Sequence, residues 1–497
     1  MPKNPGTEVL VFTQILTTRA DKGKGENGWV GVKQNWNHQS NWVADNFGGA
    51  DLGDVRRNQR LLTIANVLSG QPHGNLHRML PDWNDAKAAY EFLKRPEVTF
   101  EAVGAAHRKW VRRACAQPGD YLLISDTTTL DYSSHPCTSG LGRVGDNGGL
   151  GLFLHSTLAV RVEEWDAGGA PLVQVLGMAV QKCWARTMPT IGAGKEKKAK
   201  RLARPRESER WAEAVKTLEY PPPGARWTHV ADREADIYEV FETCLQTGSD
   251  WIVRANQRRA LSDEDGSIFD AVARRLLLGT KDIELRARPG QAARTARVEV
   301  RAGPVNLRGP WRPEKRTAPL SMNAVEIRET NPPVGVEPLH WVLLTSWPVD
   351  SLEAAWRVAQ TYARRWMIEE YHKALKSGAN VEQSQLENGS SLQALIGILS
   401  VVAVRLFALK YEARTNPDAV LTKNDVDPIW LIVLGQVVSK PPQVWTRRTL
   451  LHSIASLGGF KGRKGDGDPG WQSTWWGWQR LMLLTQGFAM ATTFRFG

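Results

Sequence analysis

Hydrophobic and polar positions change texture three times along this chain. Residues 1–40 hold no sustained period and read as a loose extension. From residue 41 the spacing is helical. DLGDVRRNQRLLTIANVLSG sets Leu52, Leu61, Leu62, Ile64 and Val67 to one side, and Arg56, Arg57 and Arg60 project together. NDAKAAYEFLKRPEV and residues 99–115 predict two more helices. At Asp120 alternation takes over. YLLISDTTTLDY predicts a strand ending in Asp126 and a Thr-rich turn, and LGLFLHSTLAV and APLVQVLGMAV two more, arranged as an antiparallel meander. A basic loop, GKEKKAKRLARPR, leads into a further helix. RWTHVADREADIYEVFETCLQ predicts a strand that stops at Asp232 and a helix carrying Arg233, Glu234 and Asp236. WIVRANQRR predicts a strand ending in Arg254.

Residues 260–335 are short alternating stretches, DIELRARP, ARVEVRAG and NAVEIRET, separated by Gly/Pro-rich turns, and predict a β-rich insertion. LHWVLLTSWPVD restores a core-type strand, with Trp341 near its start, and leads into a helical region over 352–378. Beyond Ser390 the pattern is mostly helical. The most apolar run, 392–409, is interrupted by Gln393 and Arg405 and predicts a buried core helix rather than a membrane span. Four tryptophans fall between Trp471 and Trp478, too much aromatic surface to leave in water, so they pack internally or make a subunit contact.

The stretch TYARRWMIEEYHKALKSG, 361–378, carries the densest chemistry. Wound as one helix, it gathers Tyr362, Arg365, Glu369, Lys373 and Lys376 into an arc of about 80°, with an apolar back of Ala363, Met367, Ile368, Tyr371, Ala374 and Leu375. Gly378 is a natural stop. Such a face is also what a solvated salt-bridge ladder looks like.

Composition sharpens this. The net charge is +12 and the pI about 9.5, which favours a polyanionic partner, nucleic acid before a membrane surface. Cys115, Cys137, Cys183 and Cys244 form no CxxC pair, so neither a zinc site nor a disulfide framework is expected, and a reducing cytosol fits. No signal peptide is legible at the N-terminus.

Asp126 and Asp232 each end an apolar strand, and Glu369 lies on a helix that follows one. Carboxylates from three chain-distant elements, converging at one sheet end, can hold two divalent cations of the Mg²⁺ type. Any one of them alone reads more readily as a turn or helix cap.

The set resembles the DDE insertion-sequence transposases, specifically the insertion-sequence-four group. Its signature of Tyr, Arg, Glu and Lys is matched in full by Tyr362, Arg365, Glu369 and Lys376. SDTTTLDY, DREADI, WVLLT, LGDVRRNQR, and LGGF followed by WWGW agree with the family as well, so the resemblance runs from about residue 41 to the end. Residues 1–40 exceed it. The resemblance implies an α/β fold: an RNase H-like catalytic core with a β-rich insertion, flanked by helical N-terminal DNA-binding and C-terminal dimerisation domains. In this chain those would be 41–115 for DNA binding, 116–259 and 336–415 for the core, 260–335 for the insertion and 416–497 for dimerisation.

By the same resemblance Asp126, Asp232 and Glu369 carry two Mg²⁺ ions per active site, with Mn²⁺ as a substitute. Tyr362, Arg365, Lys373 and Lys376 contact transposon-end phosphates. Trp341 stacks a flipped base while Arg254 holds its phosphate, and Arg56, Arg57 and Arg60 bind the end. The implied partners are double-stranded transposon ends and target DNA, with a homodimer in the paired-end complex and no membrane. The implied setting is bacterial cytoplasm, at the nucleoid. The implied reaction is strand cleavage through a hairpin, then transfer of 3′-OH ends into target DNA. Two rival readings are an RNase H-like nuclease without transposition and a DNA-binding regulator that has lost catalysis.

Overall fold

The computed structural model describes residues 39–71, 76–80, 82–145, 148–187, 206–285, 293–311, 317–422 and 425–493. The N-terminal extension apart from its last two residues, the basic loop before Arg206 and the end of DIELRARP lie outside these residues. Its helices, in chain order, are α1 (Gln39–Phe47), α2 (Val55–Gly70), α3 (Leu76–Met79), α4 (Trp83–Leu93), α5 (Phe100–Cys115), α6 (Glu209–Leu218), α7 (Tyr238–Thr247), α8 (Ile268–Ala273), α9 (Leu352–Ala363), α10 (Trp366–Lys373), α11 (Gly389–Thr415), α12 (Pro428–Val437), α13 (Arg447–Leu457) and α14 (Trp471–Thr493). The strands are β1 (Gly119–Asp131), β2 (Gly142–Val144), β3 (Gly149–Trp165), β4 (Pro171–Trp184), β5 (Ala225–Ala231), β6 (Asp250–Arg254), β7 (Leu277–Leu285), β8 (Arg294–Leu307), β9 (Leu320–Glu329) and β10 (His340–Thr345).

All ten strands belong to one sheet, ordered β2-β3-β1-β5-β6-β10-β9-β8-β7 with β4 also on β3. The expected meander is present: β1, β3 and β4 pair antiparallel. β5 then pairs parallel with β1, and β6 parallel with β5. Parallel neighbours need a crossover between them, and α7 supplies it from β5 to β6. Beyond β6 every pairing is antiparallel again, and β10 joins β6 to β9. The insertion strands therefore extend the core sheet rather than forming a separate layer. Their alternating sequence could not reveal this, because a half-buried strand reads the same in either place.

Three further readings are corrected. β1 continues through Thr127 to Asp131, so Asp126 lies inside a strand; its outer half pairs with β3 alone. Arg233 and Glu234 occupy a short 3₁₀ turn, Arg233–Ala235, and Asp236 follows it, all ahead of α7. The region 361–378 is not one helix. α9 ends at Ala363, Arg364 and Arg365 form a turn, α10 runs to Lys373, and a π-helical turn spans Ala374–Gly378.

α11 is buried as expected, and it alone among the described residues is long and apolar enough to cross a membrane. It runs through the centre of one hydrophobic cluster that takes in α1–α5, the sheet and α12–α14. Arg405, midway along it, lies over the rings of Trp42, Trp430 and Trp478 at 4.8, 5.5 and 5.0 Å. N-terminal and C-terminal helices thus meet on a single α11 side chain.

Candidate active site and nucleic-acid contacts

Backbone register brings the two aspartates together. The parallel pairing of β1 with β5 ends at Ser125 opposite Ala231, so Asp126 and Asp232 are the next residues on neighbouring strands, which run about 5 Å apart. Asp126 Oδ1 accepts the Thr127 N–H at 2.8 Å. Asp232 caps the 3₁₀ turn, its Oδ1 accepting the Glu234 N–H at 2.9 Å. Burial and then the Asp232 charge push the Asp126 carboxyl up to about 8, opposed by Arg365.

Glu369 approaches from α10. Arg365, one turn earlier, donates through Nη2 to Glu369 Oε1, and its Nη1 lies 3.9 Å from Asp126 Oδ2. One guanidinium thus spans two of the three carboxylates. Burial raises the Glu369 carboxyl as well, against the pull of Arg365. As the side chains stand, no three His, Cys, Asp or Glu groups among the described residues close around a single point. The donor set nevertheless fits hard divalent cations. It offers oxygen ligands only, and the mutual repulsion that lifts Asp126 is what a cation would relieve.

The helix break redistributes the rest of the signature. Tyr362, on α9, is 1% exposed and meets Trp341 edge to face, ring centroids 5.9 Å apart. Trp341 is 3% exposed in β10, opposite Ile327 of β9. Both aromatics are buried where they stand, packed against each other. Arg254 ends β6 beside them, donating to the His340 carbonyl at 3.2 Å. Lys373 lies 4.3 Å over the Trp366 ring and 3.4 Å from Glu370, and Lys376 is 3.5 Å from Glu382. The arc is bent rather than lost: Arg365 pairs with Glu369, Tyr362 still bears on the Arg365 charge and Lys373 on the Glu369 carboxylate, while Lys373 also pairs with Glu370 and Lys376 with Glu382.

Arg56, Arg57 and Arg60 lie in the first turns of α2, whose N-cap is Asp54. Arg57 pairs with Glu97 at 2.9 Å and donates to the Leu52 carbonyl; Arg60 lies 3.6 Å from Asp85. This cluster is in the helical region and makes no recorded contact with the carboxylates.

Sequence reasoning passed over His372. Its Nδ1 lies 3.9 Å from Asp126 Oδ2, and burial lowers its pKa to about 3, keeping it neutral. Helical period from Glu369 could have found it, since it falls on the Arg365 side of that arc. Glu370 was also missed. It accepts the Trp471 Nε1–H at 3.1 Å and the Trp366 Nε1–H at 3.2 Å, fastening α10 to the start of α14. No local pattern foretells a partner 101 positions away.

The tryptophan-rich segment resolves mostly inward. Trp475 and Trp478 are buried, and Trp478 donates to the Ser69 carbonyl at 2.9 Å. Trp476 is 51% exposed.

Two family models match parts of the chain. Residues 39–98 match the family model described as Transposase DNA-binding, a span that contains the α2 arginines. Residues 221–405 match the model described as Transposase DDE domain, a span that contains Asp232 and Glu369; Asp126 precedes it. A DDE domain implies an RNase H-like core, which the mixed α/β sheet accommodates. Together the two matches support a metal-dependent DNA transposase of the DDE type.

Proposed function

We propose that this chain is a cut-and-paste transposase of the insertion-sequence-four group, with Asp126, Asp232 and Glu369 as the carboxylates that hold two divalent cations, Mg²⁺ or Mn²⁺. The observation that carries the reading is the register of Asp126 and Asp232, side by side where the parallel pairing of β1 with β5 ends, with Glu369 linked to the same place through Arg365. When bound, such cations supply an activated attacking oxygen and a stabilised leaving oxygen. The protein's own part is positional and electrostatic. Arg365 is already at the carboxylates, and once cations neutralise them it is free to swing toward the charge that develops on a scissile phosphate. Residues 41–115, with Arg56, Arg57 and Arg60, would hold the end through its backbone. Arg254, Lys373 and Lys376 would add phosphate contacts nearer the cut.

Pairing of two ends falls to the C-terminal helices, 416–497. Trp476, Leu483 and Met490 repeat every seven residues along α14 and are each about half exposed.

The test is cleavage of a labelled duplex bearing the inverted repeats that flank the gene. With Mg²⁺ the wild type should yield nicked, hairpin and double-strand-break products on a denaturing gel. Asp126→Ala, Asp232→Ala and Glu369→Ala should each bind the duplex and cut nothing. Nicking by Asp232→Ala would refute the metal assignment. Equal cutting of a duplex without repeats would mean a plain nuclease.

A further inference from the structure

Aspartates side by side on neighbouring strands repel each other when both are ionised, yet a divalent cation needs them at a set separation. One side chain outside both strands is built to fix it. Arg210, in the first turn of α6, donates from Nε to Thr127 Oγ1 at 2.9 Å and from Nη2 to Glu234 Oε2 at 2.8 Å. Thr127 directly follows Asp126. Glu234 lies two residues after Asp232 and bonds to it through its own N–H. A single guanidinium thus touches the near neighbour of each aspartate.

Arg210 is itself immobilised. Nη1 donates to the Glu207 carbonyl at 2.7 Å, and the group lies over the rings of Trp184 and Trp211 at 5.7 and 5.6 Å. Its side chain is only 14% exposed. Thr127 Oγ1 is also held, 2.9 Å from His155 Nδ1, and His155 packs edge-on against Trp211 at 4.7 Å. Helix α6, strands β1, β3 and β4, and the 3₁₀ turn are therefore locked around one planar fork.

We infer that Arg210 is a positioning residue that sets the Asp126–Asp232 separation for divalent-cation binding. The inference rests on reading these aspartates as metal-holding groups. A guanidinium suits the task because its donors diverge at fixed angles, so two acceptors are held at a fixed distance; a lysine ammonium cannot impose that. Groups hydrogen-bonded directly to metal ligands govern affinity by about 10–100-fold; Arg210 acts one residue further out, through Thr127 and Glu234.

Mn²⁺ affinity, followed by electron paramagnetic resonance on the full chain without DNA, tests it. Arg210→Met and Thr127→Val should each weaken Mn²⁺ binding by about 10–100-fold, and Arg210→Lys should recover only part of the loss. Binding of end DNA in EDTA should be unchanged in all three. Mn²⁺ affinity within twofold of wild type in Thr127→Val, or in a folded Arg210→Met, would make Arg210 a packing residue only and overturn the inference. Asp232→Ala is the control. If it binds Mn²⁺ like the wild type, the metal reading itself is wrong and the inference falls with it; if it loses Mn²⁺ while the other variants keep it, only the role of Arg210 is refuted.

Discussion

Arg365 and Glu369 form an ion pair one helical turn apart, and the same guanidinium reaches to within 3.9 Å of Asp126. In the absence of a divalent cation the site thus carries an internal counter-charge. Arg365→Ala removes that counter-charge and should leave more repulsion among the carboxylates in the metal-free protein. We expect a lower melting temperature in EDTA for Arg365→Ala, with much of the loss restored by Mn²⁺. Melting curves with and without Mn²⁺ check this, and an unchanged value in EDTA would show the pair to be inconsequential.

Asp126 makes the metal-free protein pH-sensitive. Its folded pKa, about 8, stands above the ordinary 3.8, so the folded state holds a proton that the unfolded state releases. Stability then falls as pH rises between those two values, on the order of a few kcal/mol. Asp126→Asn should remove that fall. Urea midpoints at pH 5 and pH 8 in EDTA should converge for the variant relative to the wild type.

His107 works in the opposite direction. Its Nδ1–H donates to Asn46 Oδ1 at 2.6 Å, and its Nε2 accepts the Met178 N–H at 3.0 Å, so it must be neutral to join α1 to β4. Burial lowers its pKa to about 3. Folding therefore favours the unprotonated ring, and stability is lost as pH falls from about 6.5 toward 3. Gly177 makes room for it. Its φ is +139°, and an added Cβ would lie 2.6 Å from His107 Cε1. Gly177→Ala and His107→Ala should each cost about 2–4 kcal/mol, and the double variant should cost less than their sum. Strict additivity in urea melts would count against the contact.

Gly378 closes the π-helical turn against the C-terminal helix. A Cβ there would meet Trp475 Nε1 at 1.5 Å, so Gly378→Ala should push Trp475 and α14 away from the π-helical turn. The expected result is lost cleavage together with earlier proteolysis of the C-terminal helices. Wild-type protease resistance in this variant would mean that the contact is not needed.

Trp341 offers a direct decision between two roles. Buried against Tyr362, its truncation to Ala should cost about 3–5 kcal/mol and slow every catalytic step together. A Trp341→Ala protein that melts normally, nicks normally and stalls before the hairpin would instead restore the base-stacking role that the family resemblance suggested.

What the sequence determined by itself was local order and chemical identity. Short apolar runs placed the strands leading to Asp126 and Asp232, helical spacing placed α2, α4 and α5, and the apolar run over 392–409 marked a core helix, because each signal is generated by residues a few positions apart. The Tyr362–Lys376 signature carried the family resemblance without any geometry. Tertiary structure decided the rest. Whether an alternating strand extends the main sheet or starts another depends on the partner edge, and β9 found β10. Whether 361–378 stays one helix depends on packing that draws Tyr362 inward onto Trp341, while its helical period placed it with the charged residues. The bracing of Asp126 and Asp232 by Arg210, and of α10 by Trp471, joins residues that are 83 and 101 positions apart. Contacts at that range are set by the closed fold and leave no periodic trace in the chain.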